Sequence, residues 1–372
     1  MKIFVTGTRG IPDIPGGVEK HCQELYPLVV QAGHEVIVAT RRSYVLKREN
    51  EWHGVRLVHL PTPDSKSLEA IVHTFLAVLK ARSLQSDVIH IHSIGPGLMV
   101  PFARLLGLRV VVTNHGPDYN RQKWGRFAGA MLRMGEYLGG KYAHQVIAIS
   151  SIIADIIKKR CGREVNLIYN GVPVPQKSDK TDFLKSREIR PGTYILAVAR
   201  FVPEKGLHNL LSAFSRIQGN YQLVIAGDAD HETEYSLRLK AMAARDERVR
   251  LVGYITGEDL NQVFSHAGLF CLPSYHEGLP IALLEAMSYE LPVLVSDIPA
   301  NKEVNLPEGC YFHCRNEEEL RQKLQQFLEQ CPRYSCCDYG AQLQGKYNWK
   351  TIARQTVRVY EKALKCSGSE LI

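Results

Sequence analysis

The sequence lacks the features that would place it at once among membrane, secreted or disulfide-stapled proteins. No uninterrupted apolar run approaches the roughly 18–20 residues that a membrane-spanning helix requires. A strand-like run follows Met1 directly, so we predict no signal peptide. The 9 cysteines form no paired CxxC framework, and several lie inside apolar runs. Reduced, buried thiols and a cytoplasmic location are the simplest interpretation.

Acidic residues are scarce in the first half of the chain only. Residues 1–175 contain 22 Lys and Arg against 13 Asp and Glu, a net charge of +9, whereas the remainder contains 24 against 25, a net charge of −1. The two halves are therefore expected to meet different partners. The cations are scattered over several predicted helices without a recognition motif, so we predict no nucleic-acid partner.

A length of 372 residues, 45% hydrophobic and 23% charged, predicts a globular chain of two α/β domains. Short β-branched runs alternate with segments whose apolar residues recur every three or four positions, which indicates parallel sheets covered by helices on both faces. The predicted strands are 2–6, 35–40, 55–60, 87–92, 109–113, 145–149 and 165–169, then 194–199, 222–226, 249–253, 269–272 and 292–296. The clearest helices are 18–31, 68–82, 152–160 and 349–364.

Prolines and charges between residues 173 and 190 interrupt this alternation and predict a linker. The expected domains are therefore 1–172 and 191–345, with a terminal helix and tail over 346–372. Two doubly wound, Rossmann-like domains facing across a cleft are the simplest architecture. Ligands of such sheets bind where the strands end, so the loops after the strands are the places to look for chemistry.

The loop that begins at Leu272 is the most informative. Gly278 allows close approach of backbone to a ligand, and a helix that starts after Pro280 offers free N–H groups to an anion such as a diphosphate. Glu285 is a single carboxylate in an otherwise apolar stretch from Leu279 to Met287. It must either reach solvent at the helix edge or accept hydrogen bonds from a bound group, for which a ribose diol is suited.

Glu277 and Glu285, separated by seven residues, resemble the paired glutamates of retaining GT-B glycosyltransferases of family 4. Other segments match that family in the same order along nearly the whole chain. They are Arg200 to Gly206, Ala226-Gly227-Asp228, Val252 to Ile255, Ser296 to Pro299 with Glu303, and, in the first half, Gly16-Gly17 and His115. The terminal helix around Trp349 and Tyr360 is also typical, and the resemblance implies that it returns toward the N-terminal domain.

The resemblance implies a role for each matching residue. Glu285 would hold the nucleotide ribose, and Glu277 would lie beside the transferred sugar. The donor site would be completed by the backbone N–H groups of Gly278 and Leu279, the cations Arg200 and Lys205 on the diphosphate, Tyr254 and Ile255 against the base, and Gly16 and Gly17 over the phosphates. Catalytic roles would fall to His115, Glu277, Arg200 and Lys205.

Two histidines on one predicted strand, His90 and His92, stay open, because either could face a cleft or a core. Asp118 is a weaker candidate, for an acceptor hydroxyl. The letters of a metal-binding Asp-x-Asp occur at Asp228-Ala229-Asp230, but there the family uses the segment structurally. We therefore predict no metal and no cofactor, with the two cations stabilising the leaving diphosphate instead.

The mechanism that the resemblance implies is transfer with retention of anomeric configuration, by front-face attack in which the leaving phosphate takes the acceptor proton. The subgroup of closest resemblance acts in bacterial capsule and surface-polysaccharide assembly and includes rhamnosyltransferases. The expected donor is dTDP-L-rhamnose, then a UDP-hexose. The expected acceptor is a saccharide or a lipid-linked saccharide.

The basic segment 120–142 has two interpretations. Its cations, aromatics and apolar residues could lie on an anionic membrane, making the protein peripheral on the inner face of the cell membrane. It could equally be an ordinary helix covering a sheet. Two alternative functions also stay open: a sugar-nucleotide 2-epimerase, and a non-catalytic nucleotide-sugar-binding subunit.

Overall fold

The computed structural model describes residues 1–45, 49–63, 69–116, 126–229, 231–329 and 339–366, with the side chain of Arg126 left out. The chain divides into two compact units. The first consists of Met1–Gly171 together with Tyr347–Ile372, and the second is Val172–Lys346. Each unit has its own parallel sheet and its own apolar core.

The sheet of the first unit has the order β3-β4-β2-β1-β5-β6-β7-β8 within the described residues. All neighbours are parallel except β3 and β4. The strands β1 and β5 are buried along almost their whole length, because helices cover both faces of the sheet. The strands are β1 (Lys2–Thr6), β2 (Glu35–Arg41), β3 (Glu51–Trp52), β4 (Val55–Leu60), β5 (Val88–His92), β6 (Arg109–Asn114), β7 (Gln145–Ala148) and β8 (Asn166–Leu167).

The sheet of the second unit has the order β11-β10-β9-β12-β13-β14, and all its described pairs are parallel. The sequence order reverses between β9 and β12, and such a switch point is where doubly wound sheets bind ligands. The strands are β9 (Tyr194–Val198), β10 (Gln222–Ala226), β11 (Val249–Gly253), β12 (Leu269–Leu272), β13 (Val293–Ser296) and β14 (Tyr311–Phe312).

Helices follow most strands. Local capping defines several of their ends: Ser150 accepts the N–H of Ile153 at the start of α5, and Gly162 ends that helix in the left-handed conformation. The helices are α1 (Gly17–Gln31), α2 (Glu69–Ser83), α3 (Val100–Leu105), α4 (Arg126–Tyr142), α5 (Ser151–Cys161), α6 (Asp182–Ser186), α7 (Leu207–Ser215), α8 (Glu234–Ala243), α9 (Gly257–Ser265), α10 (Ile281–Ser288), α11 (Pro299–Lys302), α12 (Glu317–Glu329), α13 (Gly340–Lys346) and α14 (Trp349–Lys365).

The terminal helix α14 belongs to the first unit, although it comes last in the chain. It packs beside α1 and over β5, β6 and β7. Its buried stripe includes Ile352, Val359 and Tyr360, which join the same core as Tyr26 of α1. This confirms the predicted return of the last helix to the N-terminal domain. The two-domain, Rossmann-like α/β fold is confirmed as well.

Residues 173–190, predicted as a linker, lie in the second unit. Lys177 pairs with Glu290 at 2.7 Å, the N–H of Ser178 donates to Ser265 Oγ at 2.9 Å, and Leu184 of α6 is fully buried. Prolines and charges indicate where regular structure stops, but they do not show whether the segment packs. The segment is therefore part of a folded unit and not a free connection.

Candidate active site

The loops that leave β9, β10, β11 and β12 meet at one edge of the second sheet. A Cβ on Gly206 would lie 2.1 Å from the carbonyl oxygen of Pro273, and one on Gly227 would lie 2.1 Å from that of Ala199. Both glycines have positive φ, +64° and +131°. Only glycine combines this conformation with so close an approach of two backbones, so these contacts bring the predicted loops together.

Lys205 and Glu277 form an ion pair at the centre of this edge. Lys205 Nζ lies 2.6 Å from Glu277 Oε1, and Ser274 Oγ donates to the same oxygen at 2.7 Å. Only 19% of the Lys205 side chain and 9% of the Glu277 side chain are exposed. Burial opposes ionisation of Glu277, but the charge and hydrogen bonds of Lys205 and Ser274 outweigh it and hold the pKa of Glu277 below its ordinary value.

The serine that contacts Glu277 is held by a second layer of hydrogen bonds. The hydroxyl of Ser296 donates to the carbonyl oxygen of Ser274, and Asn301 Nδ2 donates to the carbonyl oxygen of Ser296 at 2.8 Å. All three residues are fully buried. The sequence identified the segment from Ser296 to Pro299 as one that matches the family, but it did not show that Ser296 supports Ser274. The available signal was the polar residues Ser274 and Ser296, each next to an apolar strand.

The helix that follows the loop, α10, begins at Ile281, with Pro280 as its N-cap in an extended conformation. Leu279 is buried and Glu285 is half-buried, one turn into the helix. Burial, and then the charge of Glu285, raises the pKa of Tyr289 to about 12. Glu285 therefore lies close enough to Tyr289 for its carboxylate to act on that hydroxyl.

The remaining residues predicted on this unit follow neighbouring strands. Arg200 is half-buried after β9, and Tyr254, 49% exposed, comes directly after β11 with Ile255 next to it. The N–H of Gly227 donates to the carbonyl oxygen of Gly253 at 2.7 Å and joins these loops. The structure thus collects Arg200, Lys205, Tyr254, Ile255, Glu277, Gly278, Leu279 and Glu285 at the carboxyl ends of adjacent strands.

Asp228 has a structural role in the described chain. It forms an ion pair with Lys240 at 2.9 Å and accepts the N–H of Ala229 at 2.8 Å. Asp230 lies outside the described residues. The first carboxylate of the Asp-x-Asp segment, Asp228, is therefore already paired with a lysine of its own unit.

The glycine loop of the first unit is held by an ion pair. Arg9 Nε lies 3.2 Å from Glu19 Oε1, and the backbone N–H of Arg9 donates to the same oxygen at 3.0 Å. A Cβ on Gly16, whose φ is +144°, would lie 2.0 Å from Glu19 Oε2. Gly16 is therefore required by the packing of its own loop, while Gly17, exposed, begins α1.

His115 lies within a cluster of aromatic side chains in the first unit. Its Nε2 lies 2.9 Å from His92 Nδ1, and its ring packs edge-on against that of His21 at 5.1 Å. Burial and then neighbouring histidines hold the pKa of both His92 and His115 well below the ordinary value, and burial lowers that of His21 to about 4. These rings are neutral at physiological pH.

Burial shows that His90 and His92 of β5 face the core and not a cleft. His90 and His92 are both fully buried, on the side of the sheet that faces Tyr26. His21 was missed in the sequence. It precedes the apolar positions Cys22, Leu25 and Tyr26 of α1. The available signal was its spacing, because a polar residue four positions before Leu25 lies on the same buried stripe of the helix.

One ring nitrogen from each of His21, His92 and His115 lies within 4.8 Å of the others, so this trio is a candidate donor set for a transition metal. Two nitrogens bound to one tetrahedral zinc at about 2.0–2.1 Å would stand roughly 3.3 Å apart. The 2.9 Å between His92 and His115 is shorter and fits a hydrogen bond. In the structure, His92 and His115 therefore form a hydrogen bond with each other.

The basic segment is described only from residue 126 onward, so Lys123, Trp124 and Arg121 lie outside the described residues, as does Asp118. Helix α4 turns Gly135 and Gly139 toward the rest of the unit, where a Cβ on Gly135 would meet the carbonyl oxygen of Ile94 at 2.2 Å. Phe127 is 80% exposed and Met134 54% exposed. No helix among the described residues is long and apolar enough to span a bilayer.

Comparison with known proteins places both halves in one class of enzyme. Residues 15–175 match the family model described as Glycosyltransferase Family 4, and residues 179–343 match that of Glycosyl transferases group 1. An uncharacterised glycosyltransferase of Methanocaldococcus jannaschii is 27% identical, covering 99% of this chain and 100% of its own. A phosphatidyl-myo-inositol mannosyltransferase of Mycobacterium leprae is 26% identical, covering 96% of each chain.

Solved structures share the fold. Sucrose-phosphate synthase from Thermosynechococcus elongatus matches with a TM-score of 0.85 at 20% identity, over 98% of this chain and 100% of its own. The HepE protein of Anabaena, in complex with UDP-glucose, matches with a TM-score of 0.80 at 18% identity, over 97% and 99%. Likeness at this level of identity describes architecture.

Proposed function

Because the chain belongs to the family 4 and group 1 glycosyltransferases, we propose that it transfers a hexose or 6-deoxyhexose from a nucleotide diphosphate to a saccharide or lipid-linked saccharide. The observation that supports this most directly is the buried Lys205–Glu277 pair at the switch point of the second sheet. A cation and an anion held side by side suit a donor that carries a diphosphate and sugar hydroxyls.

The proposed division of labour follows from the chemistry of each group. Arg200 and Lys205 neutralise the diphosphate, and the N–H groups of Gly278 and Leu279 bind its oxygens near the start of α10. Glu277 accepts hydrogen bonds from the sugar, and Glu285 accepts them from the ribose diol. Tyr254 and Ile255 are proposed for the base, and the roles of Gly16, Gly17 and His115 in the first unit stay predictions.

We propose a retaining, metal-independent mechanism. The bond from the anomeric carbon to the phosphate oxygen breaks as the acceptor oxygen attacks the same face, and the leaving phosphate takes the acceptor proton. The two cations then offset the charge that develops on the diphosphate, an effect of roughly 3 kcal/mol for one well-placed donor. Retained anomeric configuration by NMR and full activity in excess EDTA are expected; inversion, or complete loss with EDTA, would contradict this mechanism.

Two donor classes remain to be separated. dTDP-L-rhamnose is proposed from sequence resemblance alone. The mannosyl transfer named for the mycobacterial relative supports a hexose more directly. Thermal shift with a panel of sugar nucleotides, followed by nucleotide release, tests both classes, since a ligand that binds only the folded state raises its stability.

The same assay discriminates the alternatives. A 2-epimerase would convert the donor without releasing nucleotide or needing an acceptor, and a binding subunit would show a thermal shift without turnover. Glu285→Gln is expected to weaken donor binding. A shift that is equal in Glu285→Gln and in the unaltered chain would contradict the assignment of Glu285 to the ribose.

We also propose peripheral association with an anionic membrane through helix α4. The support is its exposed Phe127 and Met134 beside the exposed cations Arg133 and Lys141. Co-sedimentation with vesicles containing phosphatidylserine, compared with neutral vesicles, is the test. Phe127→Ser should reduce binding to the anionic vesicles, whereas Leu167→Ser, also an exposed apolar residue, should leave it unchanged.

A further inference from the structure

Four fully buried polar rings and the half-buried ring of His115 form a continuous chain in the first unit. Tyr360 OH lies 2.8 Å from His90 Nδ1, and His90 Nε2 lies 2.7 Å from Thr113 Oγ1. Tyr26 OH lies 3.0 Å from His90 Nδ1 and 2.5 Å from His92 Nε2. The chain ends where His92 Nδ1 meets His115 Nε2 at 2.9 Å.

The protons of this chain can be assigned because each hydroxyl and each neutral imidazole carries one. We assign the proton of Tyr360 to its contact with His90 and that of Tyr26 to its shorter contact, with His92 Nε2. The hydroxyls of Tyr26 and Tyr360 also contact each other. The proton of His92 is then on Nδ1, directed at His115 Nε2. A nitrogen that accepts has no proton of its own, so the proton of His115 lies on Nδ1.

We propose that Tyr26 and His92 are positioning residues that fix His115 in its Nδ1–H tautomer and in one ring orientation. The consequence for catalysis rests on the proposed function, in which His115 acts in sugar transfer. The tautomer itself does not depend on that function. Neither Tyr26 nor His92 contacts substrate in this proposal, and both act through His115.

Three observations support a fixed arrangement. His92 and Tyr26 are fully buried, so water does not compete for their hydrogen bonds. His21 packs edge-on against His115 and is itself anchored by Asn170 Oδ1, 2.9 Å from His21 Nδ1. Burial keeps the four histidines neutral, which the assignment of one proton to each ring requires.

The chain offers a matched pair of variants. Tyr26→Phe removes the hydroxyl that donates to His92, and Tyr360→Phe removes the other fully buried hydroxyl next to His90. In Tyr360→Phe, His90 can reverse its own tautomer, donating to Tyr26 and accepting from Thr113. Tyr26 then continues to donate to His92, so His115 is expected to be unaffected.

Nitrogen-15 NMR of the full-length protein with labelled histidines measures the tautomer directly, with the signal of His115 assigned by its loss in His115→Asn. The expected result is Nδ1–H at His115 in the unaltered chain and in Tyr360→Phe. In Tyr26→Phe the Nε2–H form should appear. A neutral Nε2–H or a charged ring in the unaltered chain, or the same tautomer in Tyr26→Phe, would overturn the proposal.

Steady-state nucleotide release separates this proposal from the proposed function. Tyr26→Phe should lower kcat about 10- to 100-fold, the range seen when an orienting partner is removed, with KM for the donor within about twofold. Tyr360→Phe should stay within about twofold of the unaltered chain. His92→Gln is the second variant, with thermal unfolding as the control for folding. A changed tautomer with unchanged kcat would contradict the catalytic role of His115 and leave its positioning intact.

Discussion

Two regions of the molecule accommodate buried polar groups in different ways: the ring cluster around β5 of the first unit and the strand ends of the second sheet. The region around β5 collects neutral rings, with His90 and His92 each hydrogen-bonded to Tyr26 inside the core. The second unit holds a charged pair, Lys205 and Glu277, at the ends of its strands. A neutral ring can be satisfied by one or two hydrogen bonds, whereas a buried charge needs an opposite charge as well.

This difference predicts that the two units are sensitive to different changes, one to substitution and the other to pH. Removing one partner of a buried ion pair leaves an uncompensated charge, so the second unit should respond strongly to single substitutions at the pair. The first unit should respond to pH, because below pH 6.5 its buried histidines stay neutral in the folded chain but become charged in the unfolded chain.

The largest expected effect is that of Glu277→Gln. It leaves Lys205 without its anion and replaces the carboxylate proposed to accept from the sugar with a neutral amide, which is a weaker acceptor. We expect kcat/KM for nucleotide release to fall about 10²- to 10³-fold. The control is Glu290→Gln, which disrupts the Lys177–Glu290 pair of similar length, 2.7 Å, but with 47% and 67% of the side chains exposed. If both variants kept full activity, the functional importance of the buried pair would be disproved.

Acid should destabilise the first unit before the second. The folded-state pKa values are about 4 for His21 and about 3 for His90, against 6.5 in the unfolded chain. The unfolded chain therefore binds more protons below pH 6.5, and each ring lowers the free energy of unfolding by about 1.4 kcal/mol per pH unit. The loss for His21 reaches about 3 kcal/mol by pH 4.

The pKa of Glu277 is shifted in the same direction but acts in a lower window. Its stabilising contribution is present above its unfolded pKa of 4.5 and is lost as pH falls through the lower folded value. Native-state amide exchange at pH 7.0 and 5.5, corrected for intrinsic rates, should thus show weaker protection in β5 and little change in β10. Equal loss in both strands would contradict the contrast.

Gly206→Ala should have a smaller but distinct effect. The added Cβ meets the carbonyl oxygen of Pro273, while in Gly192→Ala the φ of +75° is also unfavourable but nothing lies within 4 Å. We expect about 1 kcal/mol of lost stability for Gly192→Ala. Gly206→Ala should lose about 1–2 kcal/mol more, as a steric conflict adds to the strain. Urea unfolding measures both, and equal losses would show that the two loops are not in contact.

The smallest expected change is in the control for the ion pair. Glu290→Gln should alter the free energy of unfolding by less than about 0.5 kcal/mol, because solvent screens the Lys177–Glu290 pair. Urea unfolding of this variant and of Glu277→Gln would compare an exposed and a buried pair in one unit. A loss above about 1 kcal/mol for Glu290→Gln would remove the distinction.

Much of the fold could be predicted because periodicity records burial directly. The strands at 2–6, 55–60, 222–226, 249–253 and 269–272 were predicted with the bounds that the structure has. The two-residue strands β3 and β14 were missed, and β8 was predicted too long. At the edge of a sheet a strand is defined by its pairing with a neighbour, which leaves little trace in two residues.

The candidate site, too, could be predicted only in part from the sequence. The residue types and the order of the loops were readable from Arg200, Glu277 and Glu285. The Lys205–Glu277 contact and the contact of Ser296 with Ser274 were not predicted, because these partners are 72 and 22 residues apart in the chain. The chain from Tyr360 to His115 joins a terminal helix to two strands of the first sheet, and no local pattern records such a meeting.

The sequence by itself thus determined the alternation of strands and helices and the division into two units, since these depend on local spacing. The glycosyltransferase loops were predicted from their resemblance to a family. Only the tertiary structure decided that Lys205 neutralises Glu277 and that His92 faces the core. It also brought Tyr26, His92 and His115 into one series of contacts. The physical reason is that hydrogen bonds and ion pairs act over a few ångströms, and distances that short between remote residues exist only once the sheets have formed.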